Sequence, residues 1–341
     1  MSTRGTYRPI TSVISAVLTI LALILTTGSS AHAVSLSPEL VDSLKAAGQL
    51  QAHVQMMIEA RAKGVWAPNP EVASRDAAGQ ALQFDPNQPD TFKVLVILVD
   101  FSDNTAAGGQ VYGTPADFMH LLFSFNDNDN HYSMAEFYRD NSYGSFILQG
   151  TVAGWVRAPQ TYAYYVNGQR GFGSYPQNAQ KMAEDALILA NPLVDYSQFD
   201  RDGNGRLDGV FIVHAGPGYE QTGNLNHVHS HAWSTSYTLN LDGIAINSYT
   251  MEPEENTSTG LSTMGVYAHE YGHFLGLPDL YDTDYSSSGI GSWSLMAGGS
   301  WNSSGRYPAF MDAWCKKEVG FLQLTNITSC QEDFAIASSY H

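Results

Sequence analysis

The chain of 341 residues has little cysteine and little positive charge. It holds only Cys315 and Cys330 and no C-x-x-C pair, which argues against a cysteine-bound metal or a dithiol redox centre. Lysine and arginine number 16 against 33 acidic residues, so the net charge is −17. This acidity argues against nucleic acid or an anionic membrane as a partner. In an exported chain the two cysteines could form a disulfide, and two free buried thiols are the alternative.

Long apolar runs are also scarce, and the one at the amino terminus has the features of an export signal. Arg4 and Arg8 precede an apolar run from Val13 to Leu25, and Ala31-His32-Ala33 has the small-x-small form of a cleavage site. The run is shorter than the roughly 20 residues that span a bilayer. Residues 1–33 are therefore predicted to be a signal peptide, with an uncleaved anchor as the alternative. Its removal would take the net charge from −17 to −19, and we expect a secreted, extracellular monomer without a membrane segment.

The strongest chemical pattern is His269-Glu270-Tyr271-Gly272-His273, an H-E-x-x-H sequence typical of zinc-dependent hydrolases. Residues four apart lie on the same face of a helix, so His269 and His273 can bind one tetrahedral zinc ion. Glu270 projects about 100° further round the helix. It can therefore accept a proton from water without being a ligand, and it is the predicted catalytic base.

The residues around this pattern predict a helix that ends in a sharp turn. Apolar side chains recur at helical spacing from Met264 to Leu275. Gly276 can take the left-handed conformation that ends a helix, and Pro278 cannot continue one. The turn can bring Asp279 to the zinc as third ligand, in the pattern H-E-x-x-H-x-x-G-x-x-D, a metzincin motif with aspartate in place of the third histidine. Asp282 is a competing third ligand, and the metzincin spacing favours Asp279.

Asp200-Arg-Asp-Gly-Asn-Gly-Arg-Leu-Asp208 is a second candidate metal site. Oxygen ligands at alternate positions with glycine at the sixth are typical of the start of a calcium loop. The predicted Ca²⁺ ligands are the side chains of Asp200, Asp202, Asn204 and Asp208 and the backbone carbonyl of Arg206. Phe211 stands where an EF-hand has its last glutamate, so another group must complete the shell. A polar turn without a metal is the alternative.

Two smaller patterns lie on either side of the zinc motif. A local histidine cluster consists of His227, His229 and His231. It could bind a second metal, line the substrate cleft or form an exposed loop. Downstream, Met296 lies at a distance suitable for the methionine turn that metzincins place beneath the zinc, and an ordinary core methionine is the alternative. Some metzincins add a tyrosine two residues later; Gly298 stands there, and Tyr307 is a substitute.

Residues 34–90 differ in character from the rest of the chain. Ser37-Pro38-Glu39-Leu40 has the form of a helix start, and an amphipathic pattern continues to about Ala62. Pro68 and Pro70, among glutamine, asparagine and aspartate, indicate a linker. We interpret 34–90 as a pro-segment and linker that keep a secreted hydrolase latent; a helical extension that packs on the enzyme is the alternative. The segment has no cysteine that could block a zinc ion, so latency would use another group.

Residues 91–341 are predicted to form one catalytic domain of the α/β (α+β) class. Interleaved strands and helices over about 250 residues indicate a single domain with a sizeable core. The predicted strands are Thr91–Phe101, Ser145–Trp155 and Gly209–His214, and the predicted helices are Asp117–Phe125, Tyr132–Gly144 and Asn178–Ala190.

These motifs, in this order, resemble the immune inhibitor A family of secreted zinc metalloproteases. The matching stretches are Val94–Phe101, Glu136–Gly144, Asp200–Gly218, Ser230–Trp233, His269–Asp282, Leu295–Trp301 and Arg306–Trp314. The resemblance implies a metzincin-like catalytic domain with a mixed sheet and an active-site helix, a pro-segment, calcium binding and broad endopeptidase activity. Larger family members carry additional C-terminal domains.

The sequence thus predicts a secreted zinc endopeptidase that acts on proteins or peptides, with Zn²⁺ and Ca²⁺ as its cofactors. Two alternatives stay open. One is a calcium-stabilised binding protein with an inactive protease fold, although the ligands and the base are all present. The other is a zinc amidase or exopeptidase, because loops that the sequence does not place determine the substrate.

Overall fold

The computed structural model describes residues 34–65, 84–85, 87–105, 113–125, 131–258 and 260–322. The predicted signal peptide, most of the predicted linker and Cys330 lie outside these residues, and the disulfide therefore stays a prediction. Cys315 is fully buried. None of the helices in the described part of the chain has the length and apolarity that crossing a membrane requires.

A six-stranded mixed sheet forms the centre of the protein, in the order β2-β1-β3-β5-β4 with β6 beside β5. The strands are β1 Asp90–Asp100, β2 Phe146–Arg157, β3 Val210–Pro217, β4 His231–Leu241, β5 Ile244–Asn256 and β6 Gly260–Leu261. The pairs β1–β2, β1–β3 and β3–β5 are parallel, whereas β4 and β6 are antiparallel to β5. The apolar run of β1 fits its position inside the sheet, because interior parallel strands are buried on both faces.

Helices alternate with the strands from β1 to β4, as the sequence predicted, and further helices precede β1 and follow β6. The helices are α1 Pro38–Ala46, α2 Leu50–Ala62, α3 Pro115–Phe123, α4 Met134–Asn141, α5 Tyr162–Val166, α6 Ala179–Ala190, α7 Tyr219–Thr222, α8 Met264–Phe274 and α9 Ala313–Glu318. Capping residues set several of the starts. Thr114 and Ser133 each form a capping box with the third residue of the helix that follows, which satisfies backbone N–H groups that the helix itself leaves free. The α/β class with a mixed sheet is confirmed.

Two cores lie on the two faces of the sheet, and β1 divides them. Leu95, Ile97 and Val99 join the core that contains α6, whereas Val94, Val96 and Leu98 join the core that contains α8. This alternation follows from the two-residue period of a strand. Helix α8 therefore packs its apolar face against the sheet, and its polar residues His269, Glu270 and His273 can form a site.

The helices α1 and α2 pack on this body instead of standing apart. Met57 and Ala60 of α2 are buried in the same core as α6, and Leu40 of α1 packs against Tyr219. In front of α1, the extended residues Val34–Ser37 are at most 5% exposed. The first described residues of the chain are thus among its most deeply buried.

Candidate metal centre

Helix α8 carries His269, Glu270 and His273, all of them buried. The helix ends where the sequence predicted, because Gly276 has a φ of 103° and the N–H of Leu277 bonds back to the carbonyl of Gly272 at 3.0 Å. The chain then reverses. This turn places Asp279 beside both histidines.

Three donor atoms converge at the end of this turn. The Nε2 atoms of His269 and His273 are 3.0 Å apart, and Asp279 Oδ1 lies 3.1 Å from the first and 3.3 Å from the second. In tetrahedral zinc sites with bonds of about 2.0–2.2 Å, donor atoms are separated by about 3.3–3.6 Å. These three residues are the one group of histidine, cysteine, aspartate or glutamate in the described part of the chain whose ligand atoms all lie within 4.8 Å of one another.

The other nitrogen of each imidazole is held by a backbone carbonyl. His269 Nδ1 lies 2.9 Å from the carbonyl of Leu295, and His273 Nδ1 lies 2.7 Å from the carbonyl of Leu277. A carbonyl only accepts hydrogen bonds, so both Nδ1 atoms carry a proton, and each Nε2 faces Asp279, where it would bind a metal once deprotonated. Such partners fix the tautomer and orientation of metal-binding histidines. The donor set, its burial and its tautomers therefore fit a zinc ion.

The two candidate third ligands have different surroundings. Asp279 has a pKa lowered to about 2; its burial alone would raise the pKa, and the two imidazoles outweigh that effect. The Asp282 carboxylate instead accepts hydrogen bonds within its own turn, from the hydroxyl of Ser287 at 2.7 Å and that of Ser286 at 2.9 Å. These bonds lower the pKa of Asp282. The structure thus brings Asp279, and not Asp282, to the histidines.

A methionine supports the helix from below. Gly272 lies so close to Met296 that a Cβ atom added to the glycine would stand 2.5 Å from the sulfur. The carbonyl of Met296 also accepts the N–H of Leu280 at 2.7 Å, next to Asp279. Met296 therefore contacts both the helix and the turn that carry the donor atoms, as expected for a methionine turn. Tyr307, the substitute tyrosine, is 55% exposed.

Glu270 lies beside the donor group and is fully buried. Burial raises its pKa to about 8, against the opposing effects of His269 and of a backbone N–H bond. That N–H belongs to Val34, whose nitrogen is 2.8 Å from Glu270 Oε1. The sequence could not show this contact, because its partners are 236 residues apart.

Each residue of the histidine cluster has a separate partner. His227 Nδ1 lies 2.8 Å from the Thr222 hydroxyl, and His231 Nε2 lies 3.2 Å from the Tyr249 hydroxyl. His229 Nε2 lies 3.3 Å from the carbonyl of Val34. His229 and His231 are buried, so the exposed-loop alternative is wrong for these two, and His229 reaches the segment beside Glu270.

In the predicted calcium loop, side-chain oxygens bind the backbone of the loop instead of converging on one point. Asp200 Oδ1 accepts the N–H of Asn204 at 3.0 Å, and Asn204 Oδ1 accepts the N–H of Arg206 at 2.8 Å. Asp202 is exposed, whereas Asp208 is buried and accepts the N–H of Arg201. In this arrangement the oxygens cap backbone groups, and calcium binding stays a prediction.

Comparisons with known proteins agree with this geometry. Residues 81–323 match a family model described as the catalytic domain of immune inhibitor A peptidase M6. The pre-pro-metalloprotease PrtV of Vibrio cholerae is 31% identical over 288 residues, which cover 70% of this chain and 30% of that protein. Immune inhibitor A of Bacillus thuringiensis is 32% identical over 257 residues, which cover 61% of this chain and 36% of that protein. The chain thus matches about a third of the length of each relative.

Proposed function

The chain belongs to the immune inhibitor A peptidase M6 family, and from this membership we propose that it is a zinc-dependent endopeptidase acting on proteins. One observation carries the proposal. Three donor atoms lie close enough together to bind one zinc ion: the Nε2 atoms of His269 and His273 and a carboxylate oxygen of Asp279. A buried glutamate lies next to them.

The proposed ligands of the zinc ion are His269, His273 and Asp279. Bound zinc would act as a Lewis acid that polarises the scissile carbonyl and makes water acidic enough to be deprotonated near neutral pH. The carbonyls of Leu295 and Leu277 hold the two imidazoles so that no reorientation is needed before the metal binds.

Glu270 is the proposed general base and then the general acid. It takes a proton from the attacking water and delivers that proton to the nitrogen of the leaving amine. The hydrogen bond from Val34 N to Glu270 Oε1 supports this role, because it places a peptide nitrogen within proton-transfer distance of the carboxylate. General acid–base catalysis typically contributes about 10²–10⁴-fold to the rate.

Residues 34–90 are proposed to be a pro-segment that keeps the enzyme latent. Val34 lies beside Glu270, and its main-chain nitrogen, which becomes the terminal amine once residues 1–33 are removed, binds the carboxylate that would serve as base. A peptide substrate could not lie there at the same time. The segment has no cysteine that could block a zinc ion, and in this proposal its backbone blocks the active site instead.

Export, calcium binding and the substrate class are further parts of the proposal. Residues 1–33 would direct export, and one relative is itself named a pre-pro-metalloprotease. The loop from Asp200 to Asp208 would bind Ca²⁺ and stabilise the start of β3. The partners would be protein or peptide substrates, taken up by a monomer.

The test is digestion of an unfolded protein by the zinc-loaded full chain with the substitution Leu36→Asp. This substitution places a carboxylate where Leu36 is buried, so it should release the segment from the cleft. Internal fragments that vanish with a chelator and return with zinc are the expected result. Release of terminal residues alone would indicate an exopeptidase. Absence of any cleavage with zinc bound would favour the non-catalytic binding protein.

A further inference from the structure

The residues Val34–Ser37 contact the cleft in the manner of a bound peptide. Trp301 donates its indole N–H to the carbonyl of Ser35 at 2.8 Å, and the N–H of Ser37 donates to the carbonyl of Glu220 at 2.8 Å. Glu270 and His229 bind the N–H and the carbonyl of Val34. The N–H of Leu36 donates to the Tyr285 hydroxyl at 3.5 Å, so the cleft contacts the main chain of all four residues. Hydrogen bonds to the main chain do not depend on which side chains a peptide carries, so they can bind peptides of many sequences.

The position of the Val34 nitrogen fixes the register of this bound segment. In the proposed reaction, Glu270 delivers a proton to the nitrogen of the residue that follows the cleaved bond. Val34 N lies 2.8 Å from Glu270 Oε1 and occupies that place. Val34 therefore corresponds to the first residue after the cleaved bond, and Leu36 corresponds to the third.

Two apolar pockets receive these two side chains. Val34 packs against Val266 of α8 and against Trp301, and it is completely buried there. Leu36 belongs to a cluster that contains Tyr219 and the partly buried Tyr285 of the cleft, together with Leu40 of α1 from its own segment. The polar side chains of Ser35 and Ser37 alternate with them, as an extended chain requires.

We propose that these contacts determine which bonds the enzyme cleaves. Val266 and Trp301 select an aliphatic side chain directly after the cleaved bond, and Tyr219 and Tyr285 select a second aliphatic side chain two residues further. This inference rests on the proposed peptidase function. The indole of Trp301 packs against Val34, so it would limit the size of the side chain at this position.

The test maps cleavage sites in a mixture of peptides from a digested proteome. The zinc-loaded full chain carries Leu36→Asp, since a buried carboxylate in an apolar pocket unseats the segment. Ile58→Asp is the matched control, because Ile58 lies in α2 of the same segment but is 50% exposed. We expect cleavage by Leu36→Asp only, with aliphatic residues enriched about tenfold at the first and third positions after the bond.

A second pair of variants tests the first pocket. Adding Trp301→Ala to Leu36→Asp should shift the first position toward phenylalanine and tyrosine, whereas Trp301→Phe should keep the aliphatic preference. Cleavage without aliphatic enrichment, or with enrichment only before the bond, would overturn the inference and leave the peptidase function standing. No cleavage by any variant with zinc bound would overturn both.

Discussion

The two candidate metal sites differ in how far the protein arranges them before an ion binds. At the zinc centre, three buried donor atoms already face one point, and backbone carbonyls hold the imidazoles from behind. In the loop from Asp200 to Asp208, the oxygens of Asp200 and Asn204 accept backbone N–H groups of the loop itself. Ca²⁺ can still bind to a loop whose oxygens are not arranged in advance, because the oxygen shell of this ion is flexible. The helix and the packed turn therefore hold the zinc ligands in place before a metal binds, whereas the calcium loop would rearrange its oxygens when Ca²⁺ binds.

The largest expected effect concerns the third zinc ligand. Asp279→Ala removes the one carboxylate that converges with the two histidine nitrogens in the described part of the chain, so we expect zinc affinity to fall by about 100-fold or more. Asp282→Ala is the matched control, because it removes an equal charge three residues away and should leave zinc affinity nearly unchanged. Competition with a fluorescent chelator measures both. Loss of zinc from the Asp282 variant alone would reverse the assignment.

The zinc centre should also be sensitive to its support. Gly272→Ala places a Cβ atom 2.5 Å from the sulfur of Met296, so we expect a loss of about 1–3 kcal/mol in the free energy of unfolding. Gly154→Ala, where the nearest atom would be 3.9 Å away, is the control and should change stability by less than about 0.5 kcal/mol. Urea denaturation gives both values. Equal stability of the two variants would show that the methionine does not constrain the helix.

The calcium loop should respond to its ion and leave the zinc centre alone. At about ten times its Kd, Ca²⁺ should add about 1.4 kcal/mol to the free energy of unfolding, and Asp202→Ala should abolish this gain. Asp202 is exposed and belongs to the loop only, so zinc content should stay the same. Thermal unfolding with and without Ca²⁺ measures the effect. An unchanged midpoint in the native chain would make the loop a polar turn.

Much of the geometry of the candidate zinc centre could be predicted from the sequence, and the reason is that it is local. His269 and His273 are one helical turn apart, and Gly276 and Pro278 force the turn that brings Asp279 back. The predicted strands and helices of the catalytic region also lie within about three residues of their predicted ends, because apolar periodicity and capping residues determine them.

Contacts between distant segments could not be predicted in this way. Val34 meets Glu270 across 236 residues, and Trp301 meets Ser35 across 266. Neither residue belongs to a spacing pattern, since the cleft is formed by the fold as a whole. Whether the predicted calcium loop binds an ion could not be predicted for a different reason. Its side-chain oxygens can bind either a Ca²⁺ ion or backbone N–H groups, and the same sequence is compatible with both.

The smallest expected effect concerns the pH dependence of packing in the proposed pro-segment. His53 of α2 is buried, and burial, together with nearby arginines, lowers its pKa from 6.5 to about 3. The groups that face it are Tyr219, Tyr285, His229, Arg61 and Arg170. Because the docked state holds the neutral form, docking is fully stable above pH 6.5 and weakens as the pH falls toward 3.

This pH dependence can be measured by hydrogen exchange in residues 34–62. At pH 6 the protonation of His53 should cost about 1 kcal/mol relative to pH 8, so exchange corrected for its intrinsic rate should increase severalfold. His53→Gln should remove most of this change, since glutamine does not titrate. An identical pH response in that variant would assign the effect to other groups.

The most direct test of the central claim compares casein digestion by two zinc-loaded proteins. Both carry Leu36→Asp to open the cleft, and one also carries Glu270→Gln; zinc occupancy is measured and matched. We predict that new amino termini accumulate with the first protein and fall by about 10²–10⁴-fold with the second. Near-equal digestion by the two proteins would contradict the claim that Glu270 is the base of a zinc endopeptidase.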